Sequence, residues 1–573
     1  MKALQLDVNS IAYKAMKPEA SIYEEAKDNE THKFGNALVV MFTIEKGDKD
    51  DYANKLIDES IAFAKKQKIN TLVLYPFAHL SSNLEALDKS MALYKHMKEY
   101  ANNKFEGEVH AAPFGWNKEL SLSIKGHPLA EQSKHYGAEI EASKADHKAV
   151  DLSIVKKSDW SALPPQDHRK IGEVLDLYSF QEVSPAMVYW HPNGYIIYKE
   201  LVRFLRGIEE RYDYQEISTP VLADIALWHV SGHIQHYRDS MFIFDSDFGS
   251  IGMKPMNCPS TMLIYKSRKW SYKELPFRTA IFDKVYRKEL SGAVTGLFRV
   301  KELTQDDGHI FAREDQIQEE VSLLLKMVKE VYDTFGMTFV PNLSTMPDDH
   351  LGTEELWEKA TLKLKKAIEE NHLQYQIKEK EGAFYGPKID CDVKDSMGRS
   401  WQLATIQLDY NLPQRFKLEY TNSAGEQEMP VVIHRAILGS IERFIGIMVE
   451  HYQGRFPTWI SPVQVEVIPI SEKHEEYARE LYAKMKAAGI RVRLNDSDRT
   501  LEYKIRDAKS REVAYMAIVG AKEQASSTLS ARDRLGNQAS FKANEFILKV
   551  KQEAEERANG TFVVKGKEES STL

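Results

Sequence analysis

Two proline clusters decide how this chain can be divided. Leu163-Pro164-Pro165 stops any helix that reaches it, and Pro457 and Pro462 punctuate the chain again further on. Proline fixes φ and has no N–H to give to a helix or a central strand. The chain therefore reads as three blocks, 1–135, 166–460 and 461–558, in keeping with roughly 100–200 residues per domain for 573 residues. A polar linker, 136–165, joins the first two, and residues 559–573, ending KGKEESSTL, read as a disordered tail.

Periodicity gives each block a character. In the first, Asn36 to Ile44 and Thr71 to Phe77 are apolar runs of strand length, Asp50 to Lys66 and Leu84 to Tyr100 have helical spacing, and Leu120, Leu122 and Ile124 alternate with serines. The last block runs strand (VQVEVIPI), helix, strand, helix, strand (VAYMAIVG), the alternation of a compact parallel or mixed α/β domain. The middle block mixes helices with many strand-like runs. The longest unbroken apolar run is Val513 to Val519, far short of the ~20 residues that span a bilayer, so no membrane association is expected. MKALQLDVNS shows no apolar core of a secretory signal, and Cys258 and Cys391 cannot make a disulfide framework in so long a chain. A cytoplasmic protein is the expectation. The net charge of −8 (77 basic, 85 acidic) neither argues for nor excludes a nucleic-acid partner, because binding follows local basic surface.

Three cassettes in the middle block carry chemistry. Phe282 to Phe311 supplies Arg287, Glu289 and Arg299, then Gln305, Asp306, Asp307 and His309. Guanidinium forks match phosphate oxygens, although a solvated hairpin explains the charges as well. In VVIHRAILGSIERFIGIMVEHY, Ala436, Ile437, Ile441, Phe444, Ile445 and Met448 form an apolar stripe at helical spacing, with Arg443 inside that helix. Such a cation needs an anion, either a carboxylate or a ligand phosphate. In Ala383 to Pro413, Tyr385, Lys388, Gln402 and Gln407 lie on strand-like segments that could line one cavity or merely decorate a surface.

In this order the cassettes resemble the class II aminoacyl-tRNA synthetases, and among them the threonyl-tRNA synthetase family. The resemblance starts at DHRKIGEVLDLYSFQ; the helix leading into YQEISTP matches the first class motif, YRKE through FRV the second, and GSIER the third. It implies an antiparallel-sheet catalytic core with helices at 166–460 and a C₂ homodimer. It also implies ATP-dependent activation of L-threonine, with Mg²⁺ on the phosphates, and transfer to tRNA(Thr). Arg287 would then hold the α-phosphate and the amino-acid carboxylate, Arg299 and Arg443 the γ-phosphate end, and Lys388 the charge at the reacting phosphorus. Glu289, Gln402 and Ser440 would complete the ATP site and Gln407 would place the tRNA's terminal ribose. Cys258, His309 and His434 match the family's zinc ligands, a set no sequence spacing reveals, with Gln305, Asp307 and Tyr385 around the bound threonine. Where the family has an aromatic residue after the second motif this chain has Leu303, and Pro259-Ser260-Thr261 replaces the bacterial Pro-Gly-His after the cysteine.

YPFAHLSS and APFGWNKELSLSIKGHPLAE resemble the editing domain of archaeal members of the family, an α/β domain similar to D-aminoacyl-tRNA deacylases. The likeness implies hydrolysis of mischarged Ser-tRNA(Thr) by His79, Lys118 and Glu131, with Asn117 where the family has tyrosine. Zinc rejects valine but not serine, and one methyl is worth only ~1–3 kcal/mol, so a second site is the physical remedy. The last block resembles the family's anticodon-binding domain, in which Asp498, Glu523 and Arg532 would meet anticodon bases. Among the cations Arg491 to Arg511, a solvated helix face explains most and RNA contacts a subset. Two other readings remain at this point: an RNA-binding protein on a retired synthetase scaffold, and a deacylase with a tRNA-delivery body.

Overall fold

The computed structural model describes residues 1–26, 30–81, 83–127, 129–136, 160–246, 249–558 and 561–563. The chain forms two units, Met1–Val150 and Asp151–Leu573. The linker expected at 136–165 falls mostly outside the described residues.

Six strands form the sheet of the first unit: β1 (Lys2–Pro18), β2 (Thr31–Thr43), β3 (Thr71–Pro76), β4 (Glu108–Ala111), β5 (Trp116–Ile124) and β6 (Glu131–His135). Their order is β4-β3-β2-β1-β5, with β6 pairing the start of β1. Helices α1 (Asp50–Gln67) and α2 (Leu87–Lys104) connect β2 to β3 and β3 to β4, the long crossovers that parallel neighbours need. Both helices pack on Leu38, Val40, Phe42, Leu72 and Leu74, while the other face gathers Leu6, Val8, Ile11, Tyr13, Val39 and Tyr75. The alternation read in Leu120, Leu122 and Ile124 is that of β5, whose residues alternate between exposed and half-buried after Trp116.

The second unit is organised on a nine-stranded sheet. Its helices include α3 (His168–Val174), α4 (Pro192–Arg211), α5 (Cys258–Lys266), α6 (Ile317–Thr334), α7 (Glu354–Glu370) and α8 (Ile441–His451). Its strands are β7 (Gln215–Glu216), β8 (Phe277–Ile281), β9 (Lys284–Tyr286), β10 (Glu302–Ala312), β11 (Thr338–Ser344), β12 (Gln376–Lys378), β13 (Lys388–Lys394), β14 (Ser400–Asp409) and β15 (Val431–Ser440). They run β12-β11-β13-β14-β15-β10-β8-β7, with β9 on β10, and only the two edge pairs are parallel. Helices α4, α6, α7 and α8 cover one face, burying Leu201, Phe204, Val321, Leu324, Leu364 and Phe444 on Ile310, Ile389, Ile406 and Ile433. The single helical stripe expected from Ala436 to Met448 is split. Ala436 and Ile437 belong to β15, and α8 begins at Ile441.

The C-terminal domain has β16 (Val465–Pro469), α9 (Glu475–Ala487), β17 (Val492–Leu494), α10 (Leu501–Ser510), β18 (Tyr515–Val519), α11 (Ala521–Ser526), β19 (Thr528–Asp533), β20 (Gln538–Lys542) and α12 (Ala543–Glu555). The mixed sheet is ordered β17-β16-β18-β19-β20. The proline-marked connector is itself buried: Phe456, Trp459 and Ile460 join the core of the nine-stranded sheet. Arg491 donates to the Trp459 carbonyl at 2.6 Å and Arg534 to that of Phe456 at 2.7 Å, fastening the domain to it. Of the tail read as disordered, Phe562 and Val563 pack on Tyr515, Phe541 and Phe546; the remainder lies outside the described residues. No described helix is long and apolar enough to cross a membrane.

Candidate functional site

Strand register builds the site. Across β13, β14, β15, β10 and β8, Lys388, Gln407, His434, His309 and Thr279 stand in one row, and Asp390, Thr405, Ala436, Asp307 and Ile281 in the next. Side chains alternate across a strand, so these rows share the face opposite α4, α6, α7 and α8, where α5 packs alongside on Phe277, Phe311 and Val432. A bulge between Gln305 and Asp307, opposite Ser440 and Ala436, breaks the pairing. The buried Asp306 carboxylate, on the other face, accepts from the Ile437 and Leu438 N–H groups at 2.8 and 3.0 Å and holds that bulge. Gly439, at φ +79°, makes the turn.

Two adjoining cavities open at the bulge. The inner one, about 210 Å³, is lined by Cys258, Arg287, Gln305, Asp307, His309, Tyr385, Gln407 and His434 among others. The outer one, about 380 Å³, is lined by Arg287, Glu289, Phe298, Arg299, Leu303, Gln402, Ser440 and Arg443. Arg287, Gln305, Leu403, Thr405 and Gly439 line both. The structure thus brings together most of the residues expected around ATP and threonine, distributed over these two adjoining cavities.

Charges in the outer cavity are incompletely paired. Arg299 donates to Glu289 at 2.8 Å, but Arg443 has no carboxylate partner among the described residues, and its Nε is buried without an acceptor. Burial, then the nearby Arg299, lowers its pKa. Of the two partners open to Arg443, a carboxylate is not found among the described residues; its guanidinium lies 5.9 Å from the Trp401 ring. Ser440 caps α8 by accepting from the Arg443 N–H at 3.1 Å, so its position follows from the helix start. Leu303 sits beside Val285 and Val300 and presents an aliphatic wall, while Phe298 supplies an aromatic one.

Lys388 departs from expectation. It lines neither cavity: its ammonium lies 2.8 Å from the buried carboxylate of Asp390, which also accepts from Ser344 and Thr405. The strand row puts it beside Gln407, but this ion pair holds it at the edge.

In the inner cavity a thiol sulfur of Cys258 and ring nitrogens of His309 and His434 lie within 4.8 Å of one another. Cys258 is the first residue of α5, and Ser260 and Thr261 simply continue that helix as buried residues. Burial, then Asp307 and Asp409, pushes the Cys258 thiol well above its ordinary pKa. Burial, then His434, pushes His309 well below its own, and His309 Nδ1 has no partner. His434 Nε2 lies 2.9 Å from Asp409, leaving Nδ1 free for other use. A protonated buried thiol beside an orphaned imidazole is an environment that a bound cation would relieve. Asp307, raised by burial, accepts from Asn257 at 2.8 Å, and the Tyr385 hydroxyl donates to Gln407 at 2.5 Å. Asn257, Phe298, Thr405 and Asp409 were not singled out from the sequence. Asn257 adjoins Cys258, so adjacency to a candidate ligand was the available signal.

The first unit has its own cavity, about 420 Å³, lined by Tyr75, Phe77, His79, Trp116, Asn117 and Lys118 among others. Lys118 Nζ donates to the carbonyls of Pro113 and Trp116 and stands 5.1 Å over the Tyr75 ring. Burial lowers its pKa to about 8. Glu131 does not line this cavity; it is an exposed residue of β6, opposite Leu6, so it is not joined to His79 and Lys118. His127 pairs with buried Asp7 at 2.9 Å, a structural contact.

In the C-terminal domain the cations sort as the sequence allowed. Arg491 spends its donors on carbonyls and on Glu200, Lys504 on the Pro469 carbonyl, and Arg511 on Glu466 and Asp507. Arg499 and Arg506 instead flank the exposed ring of Tyr503 at 5.5 and 5.3 Å. Asp498 is exposed in the loop before α10, Glu523 accepts from the Gly520 N–H at the start of α11, and Arg532 lies on β19 with its Nε buried and unpartnered. These three are not in contact with one another in any interaction the structure records.

Comparison with known proteins agrees with this layout. Residues 1–136 match the archaea-specific editing domain of threonyl-tRNA synthetase, 242–452 the class II tRNA synthetase core domain (G, H, P, S and T), and 464–553 an anticodon binding domain. The catalytic subunit of threonine–tRNA ligase from Sulfurisphaera tokodaii is 50% identical over 372 residues, covering 64% of this chain and 69% of that protein. The chain belongs to the threonyl-tRNA synthetase family. Threonine–tRNA ligase of Petrotoga mobilis is 47% identical over 394 residues, 68% of this chain, which spans only 62% of that relative's length. A crystal structure of the RNA binding domain of threonyl-tRNA synthetase from Cryptosporidium parvum has a TM-score of 0.66 and 40% identity, covering 67% of this chain and 98% of that one.

Proposed function

We propose that this chain is a threonine–tRNA ligase that activates L-threonine with ATP, transfers it to tRNA(Thr), and hydrolyses mischarged Ser-tRNA(Thr) in its N-terminal unit. The observation that carries the reading is the pair of cavities sharing Arg287, with an unpaired Arg443 on one side and the Cys258–His309–His434 cluster on the other.

The threonine carboxylate attacks the α-phosphorus, a P–O bond forms, the bond to the bridging β-oxygen breaks, and pyrophosphate leaves with that electron pair. No protein nucleophile is needed, so positioning and charge stabilisation supply the rate. Arg287 spans both cavities and suits the point where carboxylate and α-phosphate meet; Arg443 and Arg299 suit the departing end, with Mg²⁺ on the phosphates. Asp307 accepts an N–H from the substrate's amine, and Gln305 and Tyr385 bound the pocket. In the second step the ribose hydroxyl of the tRNA end, placed by Gln407, attacks the acyl carbon and AMP leaves.

Cys258, His309 and His434 would hold zinc, which would supply a Lewis acid able to tell threonine, with an amine and a hydroxyl to offer it, from valine, which lacks the hydroxyl. Asp409 fixes His434 by accepting from its Nε2–H, which keeps the Nδ1 lone pair free. Asp409→Asn permits the opposite tautomer and should weaken zinc binding about 10–100-fold, read by competition with a chelator. We further propose a cytoplasmic homodimer.

Amino-acid-dependent ATP–pyrophosphate exchange tests the whole reading. Strong exchange with threonine, weaker with serine and none with valine is expected. A zinc-loaded chain that binds tRNA yet supports no exchange is the retired scaffold instead, and one that clears Ser-tRNA without exchange is a deacylase.

A further inference from the structure

A second group of possible metal ligands, Asp167, His168 and Glu450, lies behind the outer cavity. Both imidazole nitrogens of His168 are already committed, so it is not a metal site. His168 is fully buried; its Nδ1 lies 2.7 Å from Glu450 Oε1, and its Nε2 accepts from the Leu297 backbone N–H at 3.0 Å. An acceptor at Nε2 places the ring proton on Nδ1, directed at the carboxylate.

What this imidazole holds is the wall of the outer cavity. Leu297 is fully buried, and the next two residues, Phe298 and Arg299, line the cavity. The His168 ring lies 4.0 Å from that of Phe298, which lies 4.7 Å from Trp401. Trp401 in turn is stacked by Arg399 and Arg443, and Arg399 returns to Glu450 at 2.5 Å. The circuit is closed: His168, Glu450, Arg399, Trp401, Phe298. Gly296 makes room for it, since a Cβ there would stand 2.2 Å from His168 Nε2.

We infer that His168 is a positioning residue for the nucleotide: through its Nε2 it fixes the Leu297–Arg299 segment against which ATP is held. It touches neither substrate, and the inference rests on the outer cavity being the ATP site of the proposed function.

Asparagine and glutamine separate the two halves of the imidazole. The side-chain carbonyl of a glutamine at this position reaches the place of Nε2, whereas an asparagine there retains only the Nδ1-like donor. His168→Gln should hold the Kd for β,γ-methylene-ATP, measured by calorimetry, and the KM for ATP within about threefold of wild type. His168→Asn should raise both about tenfold, the loss of one buried hydrogen bond, with the KM for threonine unchanged. Gly296→Ala, which displaces the ring by the contact of its added methyl with Nε2, should match His168→Asn and serves if the latter does not fold. Asparagine and glutamine variants that bind the nucleotide equally, or a Gly296→Ala chain that binds it as wild type does, overturn the assignment. A wild-type chain that binds the analogue but supports no exchange sinks the activation reading and leaves the ranking of variants to decide this one; a chain that binds no analogue sinks both.

Discussion

Cys258→Ala should abolish threonine-dependent pyrophosphate exchange and leave the purified chain without zinc. The thiol is the only sulfur in the Cys258–His309–His434 cluster, and it sits at the first turn of α5. Two histidines alone hold an ion weakly. Loss of a bound Lewis acid removes several kcal/mol of stabilisation, so exchange should fall by about 10³-fold or more. Cys391→Ala is the matched control. That residue is also fully buried, but it lies on β13 and joins the core beneath the helices. Its loss should cost stability by about 1–3 kcal/mol while zinc content and exchange persist. Full exchange by a zinc-free Cys258→Ala chain would remove the metal from the reaction.

The parts of this molecule that could be read from sequence are those in which one residue type has one reason to be where it is. The helices α1 and α10 show their apolar spacing, and β5 its alternation. Other elements conceal theirs. β1 is a 17-residue strand, yet Leu6 and Val8 do not continue in phase to Ile11 and Tyr13, because pairing with β5 slips between Val8 and Ser10. A bulge of that kind restores both pairs to one face and erases the alternation a reader looks for. At the junction of β15 and α8, apolar residues recur on both sides of the boundary from Val431 to Met448. Only the Ser440 cap and the Gly439 turn mark the change of structure, and helical spacing read across it was false on the strand side. The catalytic residues follow the same division. Gln305, Asp307 and His309 share a face by simple parity, which also sets Asp306 apart as the prop of the bulge. Lys388 has the right row and the wrong neighbour: nothing in KIDCDV says that Asp390 will claim the ammonium. His168 stands in the sequence only as part of a resemblance, since its partners Glu450 and Leu297 are far away in the chain and the contact exists only once α3 docks on α8.

Lys118→Ala should leave threonine activation at the wild-type rate while Ser-tRNA(Thr) accumulates, because the two chemistries occupy separate cavities with no lining residue in common. The ammonium is held by two carbonyls and stands against Tyr75, with burial drawing its pKa down from 10.5 to about 8. At neutral pH it is therefore still charged, but its desolvation makes the charge available to an oxyanion forming in the cavity. Removing one such donor costs about 10²–10³-fold in deacylation. The sign of the pH dependence follows from the protonated form being the active one. The advantage of wild type over Lys118→Ala should be largest below pH 8 and shrink as pH rises through it; comparison with the variant cancels the background hydrolysis of the ester by hydroxide. An advantage that grows above that pH would make the neutral amine the working species, a base instead of an electrostatic catalyst. Ser-tRNA cleared equally by both chains would move editing away from Lys118 altogether. Glu131→Gln provides the geometric counterpart: as an exposed residue of β6 outside the cavity, it should leave deacylation within about twofold of wild type, within what a surface substitution changes.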